Sequence, residues 1–92
     1  MIKSFKHKAL EQYFTKNIKK LLDHRDLTKI DRILDRLDAA HGIKDMDIPG
    51  WNLHELKGVR KGTWSVAVRA NWKITFRFEN GDAKDVNYED YH

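Results

Sequence analysis

The chain has no cysteine, which excludes a disulfide framework, a thiolate metal site and a thiol nucleophile, and which fits a reducing compartment. Its only proline, Pro49, stands beside Gly50, so rigid-turn chemistry is confined to one stretch. No apolar run approaches membrane-spanning length, and the opening Met-Ile-Lys-Ser-Phe-Lys-His-Lys lacks the apolar core of a secretory signal. A cytoplasmic protein that does not engage a membrane is expected. The five histidines, His7, His24, His41, His54 and His92, are scattered, and none pairs at the i, i+4 spacing of a helical zinc site. There is no nucleophile elbow, P-loop or dinucleotide fingerprint, and no evident pair of acids for glycoside chemistry. No metal and no cofactor is expected. Internal repeats, low-complexity tracts and linkers are also missing.

What is present suits one small domain spanning residues 1–92. Hydrophobic residues make up 40% and charged residues 35% of the chain, a globular balance with both signs mixed. Eighteen Lys and Arg against fourteen Asp and Glu give a net charge of +4 and a pI near 9.4. That suits an acidic partner, although many small basic domains bind no nucleic acid.

Strand periodicity is clearest in the second half. Trp64, Val66 and Val68 alternate with Ser65, Ala67 and Arg69, and Trp72, Ile74, Phe76 and Phe78 alternate with Lys73, Thr75, Arg77 and Glu79. A third run, Lys84 to Tyr88, follows Asn80-Gly81, a strong hairpin signal. The pattern predicts an antiparallel meander. A strict two-residue turn at Asn80-Gly81 would set Asp85 opposite Phe76, burying a carboxylate at a cost of several kcal/mol, roughly. A three-residue loop with Gly81 in a bulge instead pairs Ile74 with Val86 and Trp72 with Tyr88. A similar loop at Arg69-Ala70-Asn71 pairs Val68 with Trp72, Val66 with Ile74 and Trp64 with Phe76. One face is then apolar, and the other carries Ser65, Arg69, Lys73, Thr75, Arg77, Asp85 and Asn87.

Ahead of the meander, Ile2 to Phe5 reads as a short strand pairing with it. Leu10, Tyr13 and Phe14 repeat at helical spacing, and Ile18, Leu21 and Leu22 extend the stripe unless Lys16-Asn17 breaks it. Asp26 suits the N-cap of a second helix with the stripe Leu27, Ile30, Ile33, Leu34, Leu37 and Ala40, ended by Gly42. Ile43 to Lys61 reads as a loop. The fold class is α+β, an antiparallel sheet with two to three N-terminal helices packed on its apolar face.

Chemistry concentrates in His54 and Lys57 of the loop, Arg69 and Lys73 on the polar face, and the terminal Asp90-Tyr91-His92. Metal-free RNA cleavage needs a base for the 2′-hydroxyl, cations for the crowded phosphorane and an acid for the departing 5′-oxygen. Histidine, lysine and arginine suit those tasks. The same residues also read as a half-buried loop histidine, surface charges and a frayed tail. Arg60, Lys61 and Arg77 add positive charge that suits RNA binding.

Four segments carry a resemblance: the opening eight residues, Leu53-His54-Glu55-Leu56-Lys57-Gly58, the run from Trp64 to Phe78, and Asn87-Tyr88-Glu89-Asp90-Tyr91-His92. Together they resemble the HigB toxins of bacterial type II toxin-antitoxin systems, within the RelE superfamily. The resemblance runs the length of the chain and is weakest over residues 16 to 48. It implies a RelE-like microbial-ribonuclease fold and cleavage of mRNA in the ribosomal A site of the small subunit. It also implies a HigA-like helix-turn-helix antitoxin, with operator DNA reached only through that antitoxin. Carried across, it marks His54, Lys57, Arg69, Lys73, Asp90, Tyr91 and His92 as catalytic. Lys73 departs from the usual arginine, keeping charge but losing a bidentate fork. The alternatives are a ParE-type gyrase-inhibiting toxin, which has no need of the terminal Asp-Tyr-His, and a noncatalytic RNA-binding module, which would stack bases on exposed aromatics.

Overall fold

The computed structural model describes residues 1–90; the two remaining sites expected from sequence, Tyr91 and His92, lie outside the described residues. Two helices, α1 (Lys8–Lys16) and α2 (Leu27–Ala39), pack on one face of a four-stranded antiparallel sheet of order β1-β2-β3-β4. The strands are β1 (His54–Glu55), β2 (Thr63–Arg69), β3 (Trp72–Glu79) and β4 (Asp82–Asp90). Short 3-10 turns occupy His24–Asp26, Ile43–Met46 and Gly58–Arg60. The stretch read as an unbroken loop therefore holds a strand and two turns, which two strand residues are too few to announce by periodicity.

Helix α1 starts where His7 Nδ1 accepts the Leu10 N–H at 3.2 Å. It stops at Asn17, left-handed with φ 56°, so Ile18 and Leu21 do not extend it. Helix α2 buries Ile30, Ile33, Leu34 and Leu37. Asp26 occupies its N-cap position, yet the carboxylate makes no capping bond. It bonds across the core instead, forgoing about 1 kcal/mol of capping. The helix ends at Ala39, with Ala40 already extended. Gly42 opens the following turn, where Asp45 Oδ2 accepts the His41 and Gly42 N–H groups.

The core lies between helices and sheet, with Leu10, Ile30, Ile33 and Leu37 facing Val66, Ile74, Phe76 and Val86, all fully buried. Each such side chain contributes about 1.5–3 kcal/mol. The first residues run parallel to the outer edge of β4, with bridges from Ile2 to Ala83 and from Phe5 to Val86.

Both hairpins turn more tightly than expected, although in the first Trp64–Phe76 and Val66–Ile74 pair as expected. Each turn is a two-residue one, Ala70-Asn71 between Arg69 and Trp72 and Asn80-Gly81 between Glu79 and Asp82. Asn80 and Gly81 both have positive φ, 52° and 80°, the conformation whose twist matches paired strands. The irregularity sits inside the strands instead. In β4 it falls at Asp85, with φ 53°, which takes the carboxylate out of register with Phe76 while its N–H donates to Ser4 Oγ at 2.9 Å. The burial cost that argued against a tight turn is thus avoided three residues later. Beyond the bulge Ile74 pairs with Tyr88 and Trp72 with Asp90. A shift of two residues preserves the faces and brings Asp90 into the sheet.

In β2 the shift falls at Val68, between the pairs Ala67–Lys73 and Arg69–Trp72. Val68 packs on the core, and the extra residue turns Arg69 to the helix side as well. The expectation that Arg69 projects with Lys73 and Arg77 from the polar face is therefore wrong.

Candidate functional site

The face of the sheet away from the helices is built in rows. His54, Ser65, Thr75 and Asn87 are successive cross-strand partners, and Ala67, Lys73 and Glu89 form the neighbouring row. Thr63, Arg77 and Lys84 form a third. Over the middle of this surface Arg60, from the turn beside β1 and β2, reaches Glu89 of β4 with Nη1 and Nη2 at 2.9 and 2.6 Å. The Thr75 hydroxyl donates to the same carboxylate. This bridge spans the sheet, and Ser65 and Thr75 are buried. The Arg60 guanidinium holds the Glu89 carboxyl below its ordinary pKa, against the opposing effect of burial.

Two hollows open on this face. One, of about 250 Å³, is lined by His54, Lys57 and Arg60 together with Glu55 and Leu56. The other, of about 210 Å³, is walled by Lys6, Arg60, Thr75, Arg77 and Asn87 among others. Arg77 lies against Gly62, where a Cβ would meet Arg77 Nη2 at 3.4 Å, and Gly62 has φ 96°. Lys61 is exposed and follows Arg60 directly.

His54 is half-buried, and its Nδ1 lies 3.0 Å from the carbonyl oxygen of Asn52. A carbonyl only accepts, so Nδ1 carries the hydrogen and the Nε2 lone pair is left to take a proton. Asn52, at φ 51°, presents that carbonyl from a left-handed turn.

The fold therefore gathers His54, Lys57, Arg60, Lys73 and Arg77 on one surface, with Lys61 exposed next to Arg60 in the chain. Asp90 ends β4 opposite Trp72, so strand alternation puts it on the helix side of the sheet with Tyr88, at the border of this surface rather than on it. Arg69 is separate: its Nε and Nη2 bond the Asp26 carboxylate at 2.6 and 3.2 Å on the helix side. Glu89 and Thr75 belong to the surface chemistry and were not marked by sequence reasoning. The signal for Glu89 was its pairing with Lys73, which only the correct hairpin register reveals.

A family model described as "RelE-like toxin of type II toxin-antitoxin system HigB" matches residues 3–92. The chain is 49% identical over its whole length to the endoribonuclease HigB of Proteus vulgaris, covering all of that protein. Its fold is similar to the crystal structure of a YafQ mutant from E. coli, with a TM-score of 0.62 and 15% identity over 98% of this chain and 91% of that one.

Proposed function

This chain belongs to the HigB-like toxins, the RelE-like toxins of type II toxin-antitoxin systems, and from that premise we propose how it acts. It is an endoribonuclease that cuts mRNA in the ribosomal A site and so stops translation, in the cytoplasm, by acid-base catalysis needing no metal. The observation that carries this is the surface bearing His54, with Nδ1 tied to a carbonyl, among Lys57, Arg60, Lys73 and Arg77.

In the proposed reaction His54 Nε2 removes the 2′-hydroxyl proton. The 2′-oxygen then attacks phosphorus, the bond to the 5′-oxygen breaks, and that oxygen receives a proton from a second group. The terminal Asp90-Tyr91-His92 supplies that group, with His92 as proton donor, Asp90 tuning it and Tyr91 holding a base or the backbone. Lys57 and Lys73 offset charge on the phosphorane, while Arg60, Lys61 and Arg77 hold flanking phosphates. Arg69 is left out of the phosphate-contacting set because its guanidinium is committed to Asp26 on the other face. An antitoxin neutralises the protein, and a HigA-like helix-turn-helix protein is the proposed one, reaching operator DNA on the toxin's behalf.

The test is to incubate the protein with programmed ribosomes, with and without a chelator, and map the mRNA ends. Cuts within the A-site codon in both conditions are expected. Intact mRNA together with loss of DNA supercoiling by gyrase would favour the ParE-type reading instead.

A further inference from the structure

Behind the end of β4, on the helix side, lies a cluster outside the proposed RNA surface. Asp26 is 2% exposed. Its carboxylate accepts from Arg69 Nε and Nη2, and from the Tyr88 hydroxyl at 2.7 Å. The Tyr88 ring is stacked on Trp72 with centroids 4.7 Å apart, and His7 meets it edge-on at 5.7 Å. One carboxylate thus joins the start of α2, the end of β2 and the last strand, partners 43 and 62 positions away in sequence.

The location matters because of what these residues flank. Tyr88 stands two residues before Asp90 on the same strand, and Trp72 is the cross-strand partner of Asp90. Arg69 is in turn the partner of Trp72. Tyr88 and Trp72, the residues next to Asp90 along and across the sheet on its helix side, are therefore tied, directly or by stacking, to Asp26. Strand ends ordinarily fray, and a reacting group displaced by about 1 Å can lose roughly a hundred-fold in rate.

We propose that Asp26, Arg69 and Tyr88 form a positioning device that fixes the end of β4, so that Asp90 and the residues after it meet the RNA in one geometry. Arg69 acts here through Asp26, as a positioning residue. A bidentate phosphate contact through Arg69 Nε and Nη2 would require displacing Asp26, and Nη2 also lies 3.7 Å from Asp23 Oδ2. The state of the cluster agrees with this role. Arg69 holds the Asp26 carboxyl below its usual range, and burial raises the Tyr88 hydroxyl, so donor and acceptor keep these forms at neutral pH. The proposal rests on the reading that the chain's end takes part in RNA cleavage.

The experiment uses the full chain with Tyr88→Phe, which removes one hydroxyl and keeps the stacked ring, and Arg69→Lys, which keeps the charge and loses the fork. Amide hydrogen exchange at Glu89 and Asp90 is followed by NMR on the free protein, and kcat and KM are measured on programmed ribosomes below the unfolding temperature. Faster exchange at Asp90 is expected in both variants, with kcat down about ten-fold or more and KM nearly unchanged. Unchanged exchange protection in Tyr88→Phe overturns the proposal. So does an Arg69→Lys variant that raises KM and flattens the salt dependence of ribosome binding, the signature of a lost phosphate contact. Should the unaltered chain cut no mRNA, the functional reading fails, and the exchange measurement still decides whether the anchor exists.

Discussion

Two clusters of the same composition hold β4 from opposite sides of the sheet, each made of an arginine, a carboxylate and a hydroxyl. On the helix side they are Arg69, Asp26 and Tyr88; on the other, Arg60, Glu89 and Thr75. Tyr88 and Glu89 are consecutive, so strand alternation alone sends one to each side. The clusters differ in water. The difference lies in the carboxylates: the Asp26 side chain is 1% exposed and that of Glu89 24%, while the two arginines are alike, Arg69 at 36% and Arg60 at 42%. Charge removed from water must keep its partners, because a lost partner leaves an uncompensated ion. Charge at the surface can exchange them, because water or a phosphate oxygen takes the vacated place. Identical chemistry thus gives a fixed anchor on one side and a cation able to change hands on the other.

The largest effect on stability that separates the two should come from Asp26→Ala. It leaves the buried Tyr88 hydroxyl without its acceptor, while the Arg69 guanidinium, 36% exposed, turns to water and Asp23, and a loss on the order of 1–2 kcal/mol is expected from urea unfolding. A variant as stable as the parent would show that burial does not distinguish the clusters. On the open face, Lys73→Ala should cut mRNA cleavage about a hundred-fold while leaving the urea midpoint within error. Lys73→Arg should retain or raise activity, since the guanidinium adds a fork. If Lys73→Ala cleaves normally, this face is not the working one.

Glu89→Gln should cost less than about 1 kcal/mol of stability. It should also tighten RNA binding several-fold at low salt, because an anion leaves the surface proposed to meet phosphate. Weaker binding would make Glu89 a required support for Arg60 rather than a competitor of RNA. The smallest expected effect is a pH dependence. Burial lowers the His7 pKa from 6.5, so the folded state favours the neutral ring, whose Nδ1 accepts the Leu10 N–H. The unfolded chain then binds more protons just below pH 6.5, and stability should decline by up to about 1 kcal/mol, the worth of an N-cap, as pH falls from there through the folded pKa. His7→Asn, which still caps, should remove that slope in urea titrations. The depressed carboxyls of Asp26 and Glu89 act lower, stabilising above the ordinary carboxylate range near pH 4 and losing effect as pH drops through their folded values.

The sequence carried the architecture because alternation and helical spacing are local. Trp64–Phe76 and Val66–Ile74 pair as expected, and the stripe of α2 is the buried one. It did not carry the placement of bulges, which depends on what lies across the strand. At Val68 and Asp85 the extra residue is inserted within the strand rather than at the turn, and the first of these moved Arg69 to the wrong side of the expected surface. Asp26 looked like a helix cap since local spacing is all a sequence displays; its partners at 69 and 88 are distant in the chain. His54, Lys57, Arg60, Lys61, Lys73 and Arg77 were legible as a group because each lies on or beside the polar side of the meander.

The outer edges of the sheet bear on how another molecule can approach. Along β4, Lys3 and Lys6 N–H groups donate to the carbonyls of Ala83 and Val86, and the Met1 and Ser4 carbonyls accept in return from Ala83 and Val86. At the opposite edge β1 covers two residues of β2, and the Trp51 carbonyl takes the Ala67 N–H just beyond it. Among the described residues the outer edge of β4 is occupied as far as Val86 and that of β2 from Trp64 to Ala67. This shortens the main chain open to a guest strand, the route by which many proteins recruit peptides or polymerise. A partner that approaches these covered stretches meets side chains rather than open main-chain groups. The same covering of Ala83 to Val86 and of Trp64 to Ala67 should hinder copies made in excess of their antitoxin from pairing edge to edge along those stretches.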